Sequence, residues 1–470
     1  MLFPTIDFAI FFLVVFLVHW LLSPFRVPWK LFMIGASYVF YAWWDVDFVW
    51  LLAGFSVITQ VGALAVRASR DKPQQMWVLG GALVAAFAPL IWFKYYVFTA
   101  VNLSTVAGWF GGGEPIPLLQ IVLPIGISFY TFMGVSYIID IHRRKLEPAS
   151  WIDLFLYLSF FPHLVAGPIV RSNELIPQFR AAKDPRRIDV SMAAYLIFAG
   201  LFKKVVISSY LATSIVDPVF ADPGGHTAPE LLIAVYGYAV QIYADFSGYT
   251  DIAIGIALLL GFKFPQNFDR PYAAVSLQDF WRRWHITLSR WLRDYLYIPL
   301  GGNRLGEKRT YVNIMLTMLL GGLWHGAAWT FVIWGGIHGA GQVVGHYRRT
   351  HGLEKPAETT GQRIAKQVIT FNLVCLGWVF FRSESLGVAW SVLTGLLTRW
   401  GSAPLVTLPV IAAIVIGIGM QYLPHGPSDR IRTVFSRMAP AVQGIVMALA
   451  LLVITTLGPQ GVAPFIYFQF

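Results

Sequence analysis

A single histidine in an apolar, glycine-rich stretch is the strongest candidate for chemistry in this sequence. His325 lies in GGLWHGAAW, where Gly321, Gly322 and Gly326 would let backbone or substrate approach closely. An imidazole inside a membrane segment is costly and is functional by default, and it can take up and return a proton near neutral pH. The alternative is a structural histidine that is hydrogen-bonded to a nearby carbonyl group, and this residue alone leaves both interpretations open.

A second candidate site is the basic, aromatic segment LQDFWRRWHITLSRWLRDYLYIPLGGNR at residues 277–304. Aromatic side chains fall on one helical face and arginines on the other, which predicts an amphipathic cytoplasmic-side helix followed by a loop. The arginines fit a lipid-headgroup anchor, and they could also bind a phosphate-bearing donor by charge-assisted hydrogen bonds. His285, Ser289 and Arg293 recur every four residues and so share a face, and a fold could bring His285 to His325.

Two carboxylates, Asp245 and Asp251, lie in the apolar stretch YADFSGYTD. Intramembrane carboxylates indicate a polar cavity or a partner cation, and Lys203 and Lys204 interrupt another apolar segment. The alternative for the aspartates is helix capping or packing. The side chains that we expect to bind substrate are Arg282, Arg283, Ser289, Arg293, Trp324, Asn303 and Asp245.

The composition requires that membrane helices position these residues. The 470 residues are 57% hydrophobic and only 13% charged, whereas soluble domains carry about 25% charged residues. Apolar stretches recur along the chain, which predicts an all-α polytopic membrane protein with roughly 9 to 12 membrane-embedded helices. The net charge of +11 lies in short loops between apolar segments, so we exclude nucleic-acid binding. Cys375 is the only cysteine, which excludes a disulfide framework and a thiolate metal cluster.

The positions of basic loops set the expected topology. Residues 151–170 and 311–345 each lie between two basic loops, so neither fits a single span. We expect the first to be a broken helix and the second to be a re-entrant hairpin that carries His325. The chain is expected to form one membrane domain over residues 1–470, with an extracytoplasmic C-terminus. No Walker A, GxSxG, HExxH or CxxC motif is present, so a membrane transferase and a transporter or flippase of a glycan precursor both remain open.

A resemblance to a known family narrows these alternatives. The segments DFWRRWHITLSRWLRDYLYIPLGGNR and TMLLGGLWHGAAWTFVIWGGIHG, together with LPIGISFYTF, FFPHLVAGPI and DFSGYTDIAIG, resemble the membrane-bound O-acyltransferase (MBOAT) family. The most similar branch contains bacterial alginate and peptidoglycan O-acetyltransferases and the teichoic-acid D-alanine transferase. The resemblance covers nearly the whole chain and implies a funnel-shaped helical fold with a transmembrane tunnel.

The resemblance also implies roles for the two histidines and identifies the expected donor, acceptor and location. His325 corresponds to the family's catalytic histidine and His285 to the second histidine of this branch. The implied donor is acetyl-CoA from the cytoplasm, with no bound cofactor or metal. The implied acceptor is an extracytoplasmic polysaccharide (peptidoglycan, alginate or a related exopolysaccharide), reached through an SGNH/GDSL-type partner. The implied location is the bacterial inner membrane, in contact with membrane lipid.

The C-terminal residues 464–470 carry a last candidate. Phe465, Tyr467 and Phe470 match an F-x-Y-x-x-F pattern that is found in such acylation systems, where the tyrosine is the proposed acyl relay. The resemblance thus implies that Tyr467 is a third catalytic residue. The alternative is an interfacial belt of aromatic side chains.

Overall fold

The structure is a computed structural model that describes residues 1–111, 116–353, 359–423, 425–458 and 465–466, with only the backbone for 425–429. Every regular element in these ranges is helical, which confirms the all-α prediction. Six helices are long and apolar enough to cross a membrane: Asp47–Ala68, Gln75–Trp109, Val190–Ala221, Ala228–Leu259, Thr360–Arg382 and Pro440–Leu457. Three shorter apolar helices are Ile6–Leu22, Leu386–Thr398 and Leu408–Gly419. The chain is therefore a multi-pass membrane protein.

The chain divides into two compact units. Unit 1 comprises Met1–Ile188 and Ile256–Pro265, and unit 2 comprises Asp189–Gly255 and Gln266–Phe470. The long helix α13 (Ala228–Leu259) begins in unit 2 and ends in unit 1. The prediction of one membrane domain over residues 1–470 stays a prediction.

Unit 1 is built mainly from apolar helices. Its α-helices are α1 Ile6–Leu22, α2 Arg26–Ala42, α3 Asp47–Ala68, α4 Gln75–Leu90, α5 Tyr96–Trp109, α6 Ile127–His142, α7 Trp151–Ser159, α8 Phe161–Leu164 and α9 Ser172–Arg180. A π-helical turn, Ile91–Tyr95, joins α4 to α5, and a 3₁₀ turn, Pro185–Arg187, follows α9.

The expected break within residues 151–170 is present in unit 1. Helix α7 ends at Ser159, and Phe160 adopts ψ 106°, outside the helical region. The Ser37 hydroxyl accepts a hydrogen bond from the Phe161 backbone N–H at 3.1 Å, which satisfies a donor that the break exposes. His163 Nε2 donates to the Tyr157 carbonyl at 2.9 Å, and this bond gives His163 a structural role.

Unit 2 holds all the candidate catalytic residues that the structure describes. Its α-helices, besides most of α13, are α10 Val190–Leu201, α11 Ser209–Leu211, α12 Asp217–Ala221, α14 Leu277–Arg283, α15 Ile286–Leu292, α16 Glu307–His325, α17 Trp329–Thr350, α18 Thr360–Arg382, α19 Leu386–Thr398, α20 Leu408–Gly419, α21 His425–Ser436 and α22 Pro440–Leu457. Its shorter turns are the π-helical Phe202–Ser208, Ala212–Val216 and Arg293–Tyr297 and the 3₁₀ turns Pro223–Gly225 and Pro271–Ala273.

Two expectations about helices in unit 2 need revision. The single helix expected from residue 277 is two short helices, α14 and α15, because the chain breaks at Trp284 and His285. The two helices at the expected hairpin exceed the bounds 311–345, because α16 has 19 residues and begins at Glu307 and α17 has 22 residues and ends at Thr350. Both helices extend into the flanking basic residues, which the apolar pattern did not count. The depth of this hairpin in the membrane stays a prediction.

Candidate active site

The turn between α16 and α17 holds His325 in place. His325 is the last residue of α16, and Gly326 follows in an extended conformation at φ −158°. A Cβ atom at position 326 would lie only 2.0 Å from the Phe331 ring. The ring covers the backbone at this point, so glycine is required for space and the imidazole is directed by a tightly packed turn.

The two helices of the hairpin touch through glycines. A Cβ atom at Gly322 would lie 2.2 Å from the Phe331 carbonyl oxygen, and one at Gly335 would lie 2.3 Å from the Met318 carbonyl oxygen. Side chains at these positions would push the helices apart. The close approach fixes the end of α16, and with it the backbone of His325.

Aromatic rings surround the His325 imidazole. Its ring centroid lies 4.9 Å from that of Trp324, 5.0 Å from Trp334 and 5.2 Å from Phe381, and only 3% of the residue is exposed. We call Trp324, Trp334 and Phe381 the aromatic shell. An aromatic shell of this kind excludes water and strengthens any electrostatic interaction that the imidazole makes with a substrate.

His285 occupies the break between α14 and α15 in a strained conformation. It has φ 41° and ψ 56°, in the left-handed region, and it is fully buried. A non-glycine residue in this region costs on the order of 1–3 kcal/mol and persists only where the surrounding structure holds it. Such strain in a buried histidine is typical of a functional site.

Asn267 holds His285 and the start of α15, and the sequence did not single it out. Its Oδ1 accepts hydrogen bonds from Thr287 N at 3.2 Å and from Thr287 Oγ1 at 2.9 Å. The Asn267 carbonyl oxygen accepts from Ile286 N at 2.9 Å. These contacts fix the orientation of the amide, because the Thr287 backbone N–H can only donate.

The same amide oxygen sets the proton on His285. The Nδ1 atom of His285 lies 3.2 Å from Asn267 Oδ1, an acceptor, so Nδ1 carries the proton and Nε2 is the unprotonated nitrogen. Burial lowers the pKa of His285 to about 3, so the imidazole is neutral at physiological pH. His285 lies outside the six apolar spans.

The structure brings both candidate histidines to the same tryptophan. The ring centroid of Trp324 lies 6.2 Å from His285 and 4.9 Å from His325. Trp324 thus lies near both imidazoles, and its role in binding substrate stays a prediction. The three residues form one buried cluster within unit 2.

The arginines that were expected to bind substrate differ in their exposure and in their ion pairs. Arg282 is exposed, whereas Arg283 Nε donates to Asp279 at 2.8 Å and Arg293 Nε donates to Asp294 at 2.7 Å. The break at His285 places Arg282 and Arg283 in α14, whereas Ser289 lies in α15 and Arg293 caps its end. His285, Ser289 and Arg293 follow one another by one turn, with the Ser289 N–H donating to the His285 carbonyl at 3.0 Å, but they differ in exposure. His285 is buried, Ser289 is half-buried with its hydroxyl donating to the Trp284 carbonyl at 3.3 Å, and Arg293 is exposed. Asn303 lies exposed in the loop before α16.

The two aspartates have cationic partners within the protein. Asp251 accepts from Lys203, which also donates to Ser247 Oγ at 3.2 Å. Asp245 is buried and accepts from Lys204 and, at 2.8 Å, from the Ile466 backbone N–H. Of the two alternatives, a polar cavity or a partner cation, the structure shows a partner cation for each aspartate. The role of Asp245 in binding substrate stays a prediction.

Tyr467 lies outside the described residues. The two residues before it are described, and both are buried: Phe465 is 1% exposed and Ile466 is 2% exposed. The Phe465 ring packs against Tyr249 at 4.8 Å and Phe246 at 5.7 Å. Phe246 also packs edge-on against His285 at 4.7 Å, so this part of the tail and the second histidine share a neighbour.

Comparisons with known proteins agree on one family. The family model described as "MBOAT, membrane-bound O-acyltransferase family" matches residues 140–390. A probable alginate O-acetylase of Azotobacter vinelandii is 38% identical, with the match covering the whole of both chains. A peptidoglycan O-acetyltransferase of Helicobacter pylori is 38% identical over 78% of this chain and 73% of its own length. A teichoic acid D-alanyltransferase of Bacillus subtilis is 28% identical over 67% of this chain and 80% of its own.

Proposed function

The chain belongs to the membrane-bound O-acyltransferase family, and we propose that it exports acetyl groups for the O-acetylation of an extracytoplasmic polysaccharide. Its O-acetyltransferase relatives support the enzyme class, a membrane O-acetyltransferase. The proposed donor is acetyl-CoA on the cytoplasmic side of a bacterial inner membrane. The proposed acceptor is alginate, peptidoglycan or a related exopolysaccharide. The observation that carries this proposal is the burial of His325 within the aromatic shell, beside Trp324 and His285.

In the proposed reaction His325 is the general base. Its imidazole takes the proton of an attacking hydroxyl group while the hydroxyl oxygen forms an ester bond to the acetyl carbonyl carbon. The bond between that carbon and the CoA sulfur breaks, and the leaving thiolate takes the proton back from the imidazolium. Atoms and charge balance with no metal or further reactant. His285, neutral and fixed by Asn267, offers a hydrogen-bonding nitrogen beside the same tryptophan.

The attacking hydroxyl in this proposal belongs to Tyr467. The burial of Phe465 and Ile466 supports it, because the chain enters the interior of unit 2 immediately before Tyr467. The acetyl ester of Tyr467 would then pass to an SGNH/GDSL-type partner and from there to a polysaccharide hydroxyl. Only the acyl group crosses the membrane in this scheme, which avoids moving the charged donor through hydrocarbon.

Exposed arginines support the entry of the donor from the cytoplasmic side. Arg282 is exposed, and the guanidinium of Arg293 is more than half exposed beside Asp294. Cationic side chains of this kind bind phosphate groups through charge-assisted hydrogen bonds, and acetyl-CoA carries several phosphates.

The transporter alternative relied on Lys203, Lys204 and the aspartates as a polar path. Because each lysine is paired with an aspartate, no observation favours that path.

The test replaces His325 with alanine in a bacterium that depends on this protein for acetylation. Acetate released by mild base from the purified polysaccharide is measured, with the protein's abundance in the membrane measured in parallel. We expect the loss of nearly all acetate at normal abundance, and a His351→Ala variant, altered at an exposed histidine after α17, should keep it. Full acetylation by His325→Ala at normal abundance would refute the proposed function.

A further inference from the structure

The C-terminal residues that the structure describes lie in the interior of unit 2. Helix α22 is mostly exposed along its length, as expected for a lipid-facing helix, yet Phe465 and Ile466 beyond it are almost completely buried. At the end of α22, Gly458 packs against the π-helical turn Phe202–Ser208, and a Cβ atom there would lie 2.6 Å from Val205. The chain around Gly458 and the chain around Ile466 thus both contact the region of Lys204.

The contact at Ile466 is polar and buried. The Ile466 backbone N–H donates to Asp245 Oδ2 at 2.8 Å, while Asp245 Oδ1 accepts from Lys204. Asp245 and Lys204 are each only 2% exposed. A buried carboxylate must be compensated by charge and by hydrogen bonds, and here a lysine and a peptide N–H from a point 221 positions away in the chain provide both.

The residue after Asp245 links this contact to the candidate active site. Phe246 lies 5.7 Å from the Phe465 ring and 4.7 Å from the His285 ring, measured between centroids. Phe465 also packs against Tyr249, one turn further along α13. Within one turn of α13, the Asp245 carboxylate therefore accepts a hydrogen bond from the backbone of Ile466, and the neighbouring Phe246 side chain contacts His285.

We propose that the Lys204–Asp245 pair is the anchor of the chain's own C-terminal segment, and that Asp245 is a positioning residue for acyl transfer. By accepting from the Ile466 N–H, Asp245 holds Phe465 and Ile466 in place, with the Phe465 ring against Phe246, which in turn contacts His285. The ammonium group of Lys204 compensates the charge of the Asp245 carboxylate in an apolar surrounding. This role rests on the proposed function only in that the anchored segment is the one that leads to Tyr467.

A labelling experiment tests the anchor without any acetyl transfer. Ile466→Cys is made in a Cys375→Ala background, so that the thiol at position 466 is the only one, and the full chain in detergent is treated with a polar maleimide. Lys204→Met and Asp245→Leu are then introduced together, because removing one partner alone would leave a buried charge uncompensated. We expect the thiol to be protected in the parent and to react on the order of tenfold faster in the double variant.

Protection that is unchanged in the double variant would overturn the anchor, whatever the activity. The control is His325→Ala in the same background, which should lose acetylation and keep the thiol protected. This control separates the two proposals, because a failure of His325 as a catalytic residue leaves the labelling result intact.

A second pair of variants tests the hydrogen bond itself. Ile466→Pro removes the N–H donor, whereas Ile466→Val keeps the donor and a branched apolar side chain. We expect Ile466→Pro to lower polysaccharide acetylation on the order of tenfold or more at equal abundance, because a small displacement near reacting groups has a large effect on rate. Ile466→Val should stay close to the parent. Equal acetylation by the two variants would overturn the positioning role.

Discussion

At the scale of single residues, the amide of Asn267 determines the tautomer of His285. It accepts from His285 Nδ1 and so fixes the neutral tautomer, and burial lowers the pKa of this imidazole to about 3. An imidazole with so low a pKa is a poor proton acceptor at neutral pH, but it is a stable hydrogen-bonding group. These properties support a role for His285 in orienting the substrate or the acyl group in the proposed reaction, in which His325 transfers the proton.

Asn267→Asp tests this division through the pH dependence of acetyl transfer. The carboxylate can accept the same hydrogen bonds, but its charge favours the imidazolium form and raises the pKa of His285 by about 1–3 pH units. The neutral form is kept above the raised pKa and is lost as the pH falls through it. We expect the acidic limb of the pH–rate profile, measured in isolated membranes, to move to higher pH than in the parent.

Thr287→Val is the matched control for Asn267→Asp. It removes one donor to Asn267 Oδ1 and leaves the contact with His285 in place, so the acidic limb should not move. A purely structural role for Asn267 would lower abundance or rate in Asn267→Asp with an unchanged profile, and that outcome would contradict the assignment.

At the scale of elements, the hairpin of α16 and α17 supports the candidate active site. Its helices approach so closely that glycines meet carbonyl groups, at Gly322 with Phe331 and at Gly335 with Met318. The contact controls where α16 ends and hence the position of His325. A change in the spacing between α16 and α17 should therefore lower the rate of acetylation, although it alters no candidate catalytic residue.

Gly335→Ala and Gly336→Ala make a matched pair for this prediction. A Cβ atom at 335 would lie 2.3 Å from the Met318 carbonyl oxygen, whereas one at 336 would lie 3.8 Å from Leu319, an ordinary contact. We expect Gly335→Ala to destabilise the protein by about 1–3 kcal/mol. Because His325 is displaced, the rate should fall on the order of a hundredfold. Gly336→Ala should be neutral or slightly stabilising, since alanine favours helix.

The measurements for this pair are thermal unfolding of the purified protein and acetyl release from the polysaccharide. If both variants behave alike, the close contact of the hairpin does not govern the position of His325. A loss of stability in Gly335→Ala without a loss of rate per folded molecule would also contradict the argument.

At the scale of the whole molecule, local patterns predicted the helices and the motifs located His325, but contacts distant in sequence were not predictable. The basic loops on both sides of residues 311–345 predicted a hairpin that carries His325. The break at His285 was missed because the amphipathic pattern runs through it without interruption, and the hydrogen bonds of Asn267 override that pattern. Lys204 and Asp245 are 41 positions apart in the sequence, and Ile466 and Asp245 are 221 positions apart. A pattern of neighbouring residues cannot predict contacts over such separations.

The proposed transfer of acetyl groups across the membrane would involve the whole chain, and it predicts that acetylation depends on the side from which the donor is supplied. Acetyl-CoA carries several charges and does not cross sealed membranes, so a donor site on the cytoplasmic surface, as proposed, is reached only from that side. We expect radiolabelled acetyl-CoA to acetylate the protein in inside-out vesicles and not in right-side-out vesicles.

The label should be absent in His325→Ala and in Tyr467→Phe, which keeps the aromatic ring and removes only the hydroxyl group. Equal labelling of both kinds of sealed vesicle would contradict entry from the cytoplasm. Label retained by Tyr467→Phe would instead exclude this phenol as the acyl acceptor, and the acetyl group would have to reach the outer side by another route.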